Sequence, residues 1–206
     1  MNVGIHMQRD AVTALPSTTA ETVLKLMDEH GFGVLLVTSE DGSLRGFITR
    51  GSLKGVQDGQ TPIESIAHPV RFSVSPTDTL EKATLIMLEN RLVLLPVTEG
   101  DRLVGVITQS AVLRGLADAL GIGLEGTRME LRLRAGSEEL YRVLEVLRAH
   151  QIHIVSMANG MANGERRDVI LRVQGIGDRE QLRAELEQRL DREPQPPSDE
   201  PTGCDD

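Results

Sequence analysis

Residues 16–38 return later in this chain as residues 76–98. At a constant offset of 60, 8 of the 23 positions are identical, namely Pro16/Pro76, Thr19/Thr79, Glu21/Glu81, Met27/Met87, Glu29/Glu89, Leu35/Leu95, Val37/Val97 and Thr38/Thr98. After the loss of one residue the match resumes at an offset of 59, with Leu44, Gly46, Ile48 and Thr49 against Leu103, Gly105, Ile107 and Thr108. Such a repeat indicates two copies of one supersecondary unit that bury their apolar faces on each other. We therefore expect binding sites in the clefts between the copies.

Each copy is predicted to begin with a helix. Thr18 with Glu21, and Asp78 with Glu81, have the spacing of a capping box, in which a side-chain oxygen accepts from an N–H of the first turn. Apolar residues then recur at helical spacing, as Ala20, Val23 and Met27 in the first copy and Leu80, Ala83 and Met87 in the second. Gly31 is a suitable left-handed end for the first helix.

Two strands and a short helix follow in each copy. The apolar runs Val34 to Val37 and Val93 to Val97 predict strands that are buried on both faces. After acidic, Gly-containing turns, Leu44 to Thr49 and Leu103 to Thr108 predict the second strands. This duplicated order, with the "LLPV" and "LVGVIT" strands of the second copy, resembles a tandem pair of cystathionine-β-synthase (CBS) domains, called a Bateman module.

The rest of the chain predicts a different domain. Met129, Leu131 and Leu133 alternate with charged residues, as in a half-buried strand. A turn at Gly136, a helix with a Leu and Val stripe over 140–147, strands at 151–157 and 168–173, and a last helix with Leu182, Leu186 and Leu190 follow. This βαββα order resembles the ACT domain, a ferredoxin-like module that often senses amino acids. The fourth strand that is usual in that family has no candidate here, so the sheet either ends with three strands or is completed by a partner chain.

The predicted fold class is therefore α/β (α+β), a CBS-domain pair followed by a ferredoxin-like ACT domain. The expected domains are CBS repeat 1 at 1–58, CBS repeat 2 at 59–120, a Gly-rich linker at 121–128, an ACT-like domain at 129–190, and a disordered acidic, Pro-rich tail at 191–206. This order and the length of 206 residues are similar to the AcuB-type acetoin-utilisation proteins.

Composition favours a regulatory protein of the cytoplasm. No apolar run approaches the roughly 18 residues of a membrane span, and no signal peptide is visible. The single cysteine, Cys204, excludes a disulfide within one chain. Of the formal charge of −9, the tail carries six acidic side chains and one arginine, a net −5, which leaves −4 for residues 1–190. A mildly acidic body with three Phe, one Tyr and no Trp predicts no nucleic-acid binding.

The resemblance also implies ligand-binding residues. In CBS modules that bind adenosine nucleotides, the last strand runs into a Thr/Ser-x-x-Asp motif, whose hydroxyl contacts phosphate or ribose and whose carboxylate takes the ribose hydroxyls. Thr49 and Thr108 keep the hydroxyl, but Ser52 and Ala111 replace the carboxylate, and neither replaces it fully. The neighbouring Arg50 and Ser110 favour a small anion. Alternatively, both threonines only cap the helices that follow.

Two other motifs do not predict a binding site. Gly121 to Gly126 spells G-x-G-x-x-G, but it joins a helix to a strand, which is the wrong context for a dinucleotide fingerprint, so a linker is the preferred interpretation. His150 and His153 straddle a predicted helix-to-strand turn without a third ligand nearby, and no metal site is predicted. In the ACT-like domain the strand-to-helix loop at Gly136 and Ser137 is the predicted effector site.

These observations predict a non-catalytic sensor. Its effector would be AMP, ADP, ATP or another adenosyl ligand or related anion in the CBS cleft, and an amino acid would be the effector of the ACT-like domain. A homodimer and a metabolic enzyme target are the expected partners, without nucleic acid or membrane. A scaffold with an empty CBS cleft is the alternative, and an enzyme is a third, for which no activated nucleophile or acid–base pair is found.

Overall fold

The structure, a computed structural model, describes residues 1–190. The chain divides into two compact units, the first of residues 1–117 and the second beginning at Asp118. The predicted disordered tail at 191–206 lies outside the described residues. No helix among residues 1–190 combines the length and the apolar character needed to cross a lipid bilayer.

The first unit contains the two repeats. After a short helix α1 (Val3–His6), the first repeat comprises β1 (Thr13–Ala14), α2 (Ala20–His30), β2 (Val34–Thr38), β3 (Leu44–Thr49) and α3 (Arg50–Lys54). The second comprises a 3₁₀ turn (Ile63–Ser65), α4 (Leu80–Asn90), β4 (Leu94–Glu99), β5 (Arg102–Thr108) and α5 (Gln109–Ala119). The central strand pairs β2/β3 and β4/β5 are both antiparallel, and each has an irregular step after the repeated valine, Val37 or Val97. The predicted CBS-pair fold and its repeated elements are confirmed.

The helix caps differ from the prediction by one residue. Thr19 and Thr79 are the capping residues, and each side-chain oxygen accepts from a first-turn N–H, that of Thr22 or Lys82. The residues predicted for this role serve the preceding turns, since Thr18 accepts from the N–H of Leu15 and Asp78 accepts from Ser75. The predicted capping boxes are therefore wrong in register, because two adjacent polar residues compete at each helix start and the sequence does not separate them.

The repeats exchange their leading segments. Val3 and Met7, from the start of the chain, are buried in the core of the second repeat beside Leu80. In the opposite direction, Ile63 is buried in the core of the first repeat, beside Val23. Each core is therefore completed by the segment that precedes the other repeat, and the two repeats form one folding unit.

The second unit is a three-stranded antiparallel sheet with two helices. Its elements are β6 (Thr127–Arg134), α6 (Glu139–Ala149), β7 (His153–Asn163), β8 (Arg166–Gln174) and α7 (Arg179–Leu190). The strand order is β6-β8-β7, so β6 and β7 are edges, and the predicted βαββα order is confirmed within residues 118–190. The apolar face of the sheet packs under the helices, with Leu171 and Val173 fully buried.

The glycine-rich segment that precedes β6 is held by side chains of this sheet. The carbonyl of Leu120 accepts from Ser156 at 2.7 Å, and the carbonyl of Glu125 accepts from the Gln174 amide at 2.7 Å. The Arg172 guanidinium donates to the carbonyl of Leu124 at 3.2 Å. Gly126, at φ +146°, has no room for a Cβ, which would lie 2.8 Å from the carbonyl oxygen of Val173.

Candidate functional site

A cleft of about 540 Å³ lies between the two repeats of the first unit. We call it the first cleft. Its lining comes from the ends of β2 and β3, where Val34, Leu36, Phe47 and Thr49 face it, and from the segments 68–72 and 90–96. The segment 68–72 is positioned by a backbone pair in which Phe47 and His68 exchange both hydrogen bonds, at 2.9 and 2.8 Å. Both repeats therefore contribute to one site.

The walls of the first cleft are mostly apolar. Val34 and Leu36 from β2 stand with Leu94 and Pro96 from β4, and Phe47 adds an aromatic ring that lies 5.5 Å from the imidazole of His68. A slot with apolar walls and a few polar groups is typical of sites for a flat organic group.

Polar groups lie at the end of β3. Thr49 caps α3 by accepting from the N–H of Ser52 at 3.0 Å, and its hydroxyl lies 2.8 Å from that of Ser52. The Ser52 hydroxyl in turn lies 2.9 Å from Nε2 of His68. Thr49 therefore has the capping role, and it also brings its hydroxyl to the cleft as one end of a short Thr–Ser–His chain.

Arg50 takes no part in the Thr–Ser–His chain of hydrogen bonds. Its guanidinium donates to the carbonyls of Met27 and Phe32, at 2.6 and 2.7 Å, and pairs with Asp28. These contacts lie at the C-terminal end of α2 and just beyond it, where cations are favoured. An anion in the cleft would have to compete with the helix end for Arg50.

The corresponding residues of the second repeat lie elsewhere. Thr108 accepts from the N–H of Ala111 at 3.2 Å, and its hydroxyl lies 2.9 Å from that of Ser110. The methyl group of Ala111 packs on the core of the second repeat. These three residues form the start of α5, and none of them lines the first cleft.

Sequence reasoning missed two cations of the first cleft, Arg71 and Arg91. Neither guanidinium has an ion pair or a hydrogen bond to any of the residues 1–190. Arg91 ends α4 in the left-handed conformation, at φ 54°, where the first repeat has Gly31 at φ 68°. The mismatch of the repeat at this position is the one signal that could have drawn attention to Arg91.

The CBS domain profile matches residues 3–58 and 63–118, which cover both repeats. This chain belongs to the CBS domain family. The CBS domain-containing protein YhcV of Bacillus subtilis is 30% identical over 107 residues, which cover 49% of this chain and 75% of YhcV.

Two solved structures place the CBS pair among known folds. A protein assigned to acetoin utilization (AcuB) in Vibrio cholerae superimposes with a TM-score of 0.55 at 24% identity, over 59% of this chain and 94% of that one. The cytosolic domain of the Mg²⁺ channel MgtE, solved in complex with ATP, does so with a TM-score of 0.51 at 26% identity, over 55% of this chain and 48% of that one.

In the second unit of this CBS protein, internal hydrogen bonds hold the strand-to-helix loop that was the predicted effector site. Gly136, at φ +75°, makes the turn, and the Ser137 hydroxyl donates to the carbonyl of Arg134 at 2.8 Å. The carboxylate of Glu139, 5% exposed, accepts from the backbone N–H and the guanidinium of Arg134 at 2.7 and 2.6 Å. Burial raises the pKa of Glu139, but these hydrogen bonds and the charges of Arg134 and Arg166 outweigh it and hold the pKa below its usual value. An internal carboxylate therefore occupies the backbone N–H and the guanidinium of Arg134.

The two histidines of this unit have different surroundings. His150 lies 2.8 Å from the carboxylate of Glu185 on α7, whereas His153 is an exposed residue at the start of β7. Within residues 1–190 no group of three His, Cys, Asp or Glu side chains is arranged to hold a metal ion.

Proposed function

We propose that this chain is a non-catalytic regulatory sensor whose first cleft binds an adenosine nucleotide or a related phosphorylated anion. The observation that carries the proposal is one cleft with apolar walls, the hydroxyl of Thr49 and two guanidinium groups that have no partner in residues 1–190. Apolar walls suit a purine ring, and guanidinium groups match phosphate oxygens bidentately. The ATP complex of MgtE, a relative in fold and sequence, supports the same ligand class.

Binding would act by stabilising one arrangement of the repeats. The lining of the first cleft comes from both repeats, so a ligand that contacts both favours the arrangement in which those contacts form. Titration calorimetry and thermal shift of the full chain with adenine nucleotides and amino acids test the proposal, because a ligand that binds only the folded state raises Tm. Absence of binding by every nucleotide and by inorganic tripolyphosphate would contradict it.

Replacing Thr49 by Val should weaken nucleotide binding. The variant loses the hydroxyl at the end of β3, and we expect a loss of about 1 to 2 kcal/mol in binding free energy. Thr49→Ser is the matched control, since it keeps both the hydroxyl and the cap of α3, and it should bind normally. Calorimetry on both variants, with their Tm values measured separately, gives the answer. Equal affinities in the two variants would place the ligand elsewhere.

We also propose that the second unit contributes to a homodimer. Edge strand β6 pairs only with β8 within residues 1–190, so its other side offers backbone groups to a partner strand. A symmetric contact through this edge would complete the sheet in the way that a fourth strand does. The ACT assignment of this unit rests on its βαββα order, and a role for it as an effector domain is part of the same proposal.

Truncation tests the dimer. Light scattering coupled to gel filtration should show a dimer for the full chain and a weaker dimer for residues 1–122, because the truncated chain lacks β6. A monomeric full chain would contradict the proposal. An equally tight dimer of residues 1–122 would assign the contact to the CBS pair.

We further propose a role in acetoin metabolism, in the cytoplasm, with an enzyme as the regulated target. Domain order and the fold shared with AcuB support this part of the proposal.

The alternative function is a scaffold with an empty cleft. Its support is chemical, since Ser52 and Ala111 offer no carboxylate for a ribose diol. Restoring the carboxylate as Ser52→Asp should strengthen nucleotide binding if the cleft is a ligand site, and leave a packed interface without binding if it is not.

A further inference from the structure

The two repeats present equivalent surfaces that can be compared residue by residue. Gln8 exchanges backbone hydrogen bonds with Val106 at 2.8 and 2.9 Å, in the same way as His68 does with Phe47. The segment 8–12 therefore stands to β5 as the segment 68–72 stands to β3. We call the region formed by 8–12, 30–36 and the end of β5 at Thr108 the second surface.

The cations of the first cleft have no counterpart on the second surface. The position of Arg71 is taken by Ala11, and that of Arg91 by Gly31. His68 is matched by Gln8. Both guanidinium groups of the first cleft are thus absent from the second surface, whereas each region has one imidazole, that of His68 or that of His30.

The charges that the second surface does carry offset each other. Arg9 and Asp10 are adjacent and stand where the first cleft has Pro69 and Val70. The Arg9 guanidinium also donates to the carbonyl of Gly4, at 3.4 Å. The second surface therefore has neither a net positive charge from this segment nor an unengaged guanidinium.

The first cleft is positive within an acidic protein. The chain has a formal charge of −9, yet none of the residues that line the first cleft, all of them within the described part of the chain, is Asp or Glu. A cleft with one sign of charge and low-dielectric walls concentrates ions of the opposite sign. Anionic ligands are thereby favoured over neutral ones.

Arg91 has a left-handed backbone conformation, which is unfavourable for a residue with a side chain. At φ 54° a side chain is disfavoured, and glycine, which stands at the same position of the first repeat, is the usual residue at such a helix end. Backbone strain of this kind clusters at ligand-binding positions, where the side chain is needed.

We infer that the two sites are unequal, and that each chain binds one phosphate-bearing anion in the first cleft, with Arg71 and Arg91 as the phosphate-binding residues. The inference deepens the proposed function and rests on it for the ligand class. It further implies that affinity rises with the number of phosphates, since each added phosphate brings charge to two unpaired guanidinium groups.

Calorimetry on the full chain with ATP, AMP, adenosine and inorganic tripolyphosphate tests this inference. We expect one site per chain and an affinity order of ATP, then AMP, then adenosine. Arg71→Gln and Arg91→Gly should each weaken ATP binding by about 10-fold and leave adenosine unchanged, because only the phosphates lose a partner. Arg91→Gly installs the residue that the first repeat uses, so the fold is retained. Arg9→Gln, on the second surface, is the matched control and should bind ATP normally.

The outcomes separate this inference from the proposed function. Two equivalent ATP sites, or ATP binding that is unchanged in both arginine variants, would overturn the inference and leave a nucleotide sensor. Tripolyphosphate that binds as tightly as ATP, with the same loss in the variants, would support the arginine site and contradict a nucleotide ligand. Wild-type protein that binds none of the four ligands would overturn both.

Discussion

Gly46→Ala should destabilise the first repeat by about 3 kcal/mol, near the upper end of the cost of overpacking. A Cβ at this buried position would lie 2.7 Å from the carbonyl oxygen of His68, and backbone cannot yield as a flexible side chain does. The added methyl group would push the segment 68–72 away from β3 and weaken both hydrogen bonds between Phe47 and His68. The first cleft would lose one wall with it.

Amide hydrogen exchange measures this change locally. The amides of Phe47 and His68 should lose protection in Gly46→Ala, and Gly105→Ala should do the same to Val106 and Gln8, because its Cβ would lie 2.6 Å from the Gln8 oxygen. Gly33→Ala is the control, since no heavy atom lies within 4 Å of its Cβ and its φ is not positive. Protection of Phe47 and His68 that survives in Gly46→Ala would show that the segment tolerates the shift.

Glu139→Ala should destabilise the second unit by about 2 to 3 kcal/mol at neutral pH, because it removes a buried carboxylate that accepts two hydrogen bonds from Arg134. Glu139→Gln keeps an acceptor but removes the charge, and it should lose less. Glu138→Gln is the matched control, since the neighbouring Glu138 side chain is 82% exposed. Denaturation followed by circular dichroism, with hydrogen exchange of the peptides from β6 and α6, reports the loss.

The contribution of Glu139 should depend on pH with a definite sign. Its pKa is lowered in the folded protein, so the charged carboxylate adds stability at pH values above its unfolded pKa of about 4.3, and this stability is lost as the pH falls through the lower folded value. The difference between wild type and Glu139→Gln should therefore be full at neutral pH and shrink below about pH 4. A difference that stays constant into acid would contradict this assignment.

The repeat allowed most of the first unit to be predicted because it fixes elements by local pattern. The stripe of Val23 and Met27 is buried as its spacing indicates, and Gly31 ends the helix in the left-handed conformation. The exchange of leading segments was not predictable, because the burial of Val3 against Leu80 is a long-range contact without a local signal. The same limit applies to the cap register at Thr19, which tertiary contacts decide.

The sequence predicts the threonine of the site but not the arginines that give the cleft its positive charge. Thr49 ends a strand and begins a helix, so its place at the cleft follows from local sequence. Arg71 lies in a connection without regular structure, and only the fold shows that this connection lines the cleft. The hydrogen bonds from Arg50 to the carbonyls of Met27 and Phe32 likewise cannot be predicted before the end of α2 is placed.

The hydrogen bonds from Ser156, Arg172 and Gln174 to the segment 120–125 decide where this protein can be cut and joined. A recombinant fragment or a gene fusion that starts at β6 would expose these side chains and lose their carbonyl partners. A fragment that starts at Asp118 would keep the segment 120–125 together with its hydrogen bonds to the sheet. A transferable domain therefore begins before the glycine-rich segment, and a gene fusion at this boundary transfers the sheet with all of these hydrogen bonds.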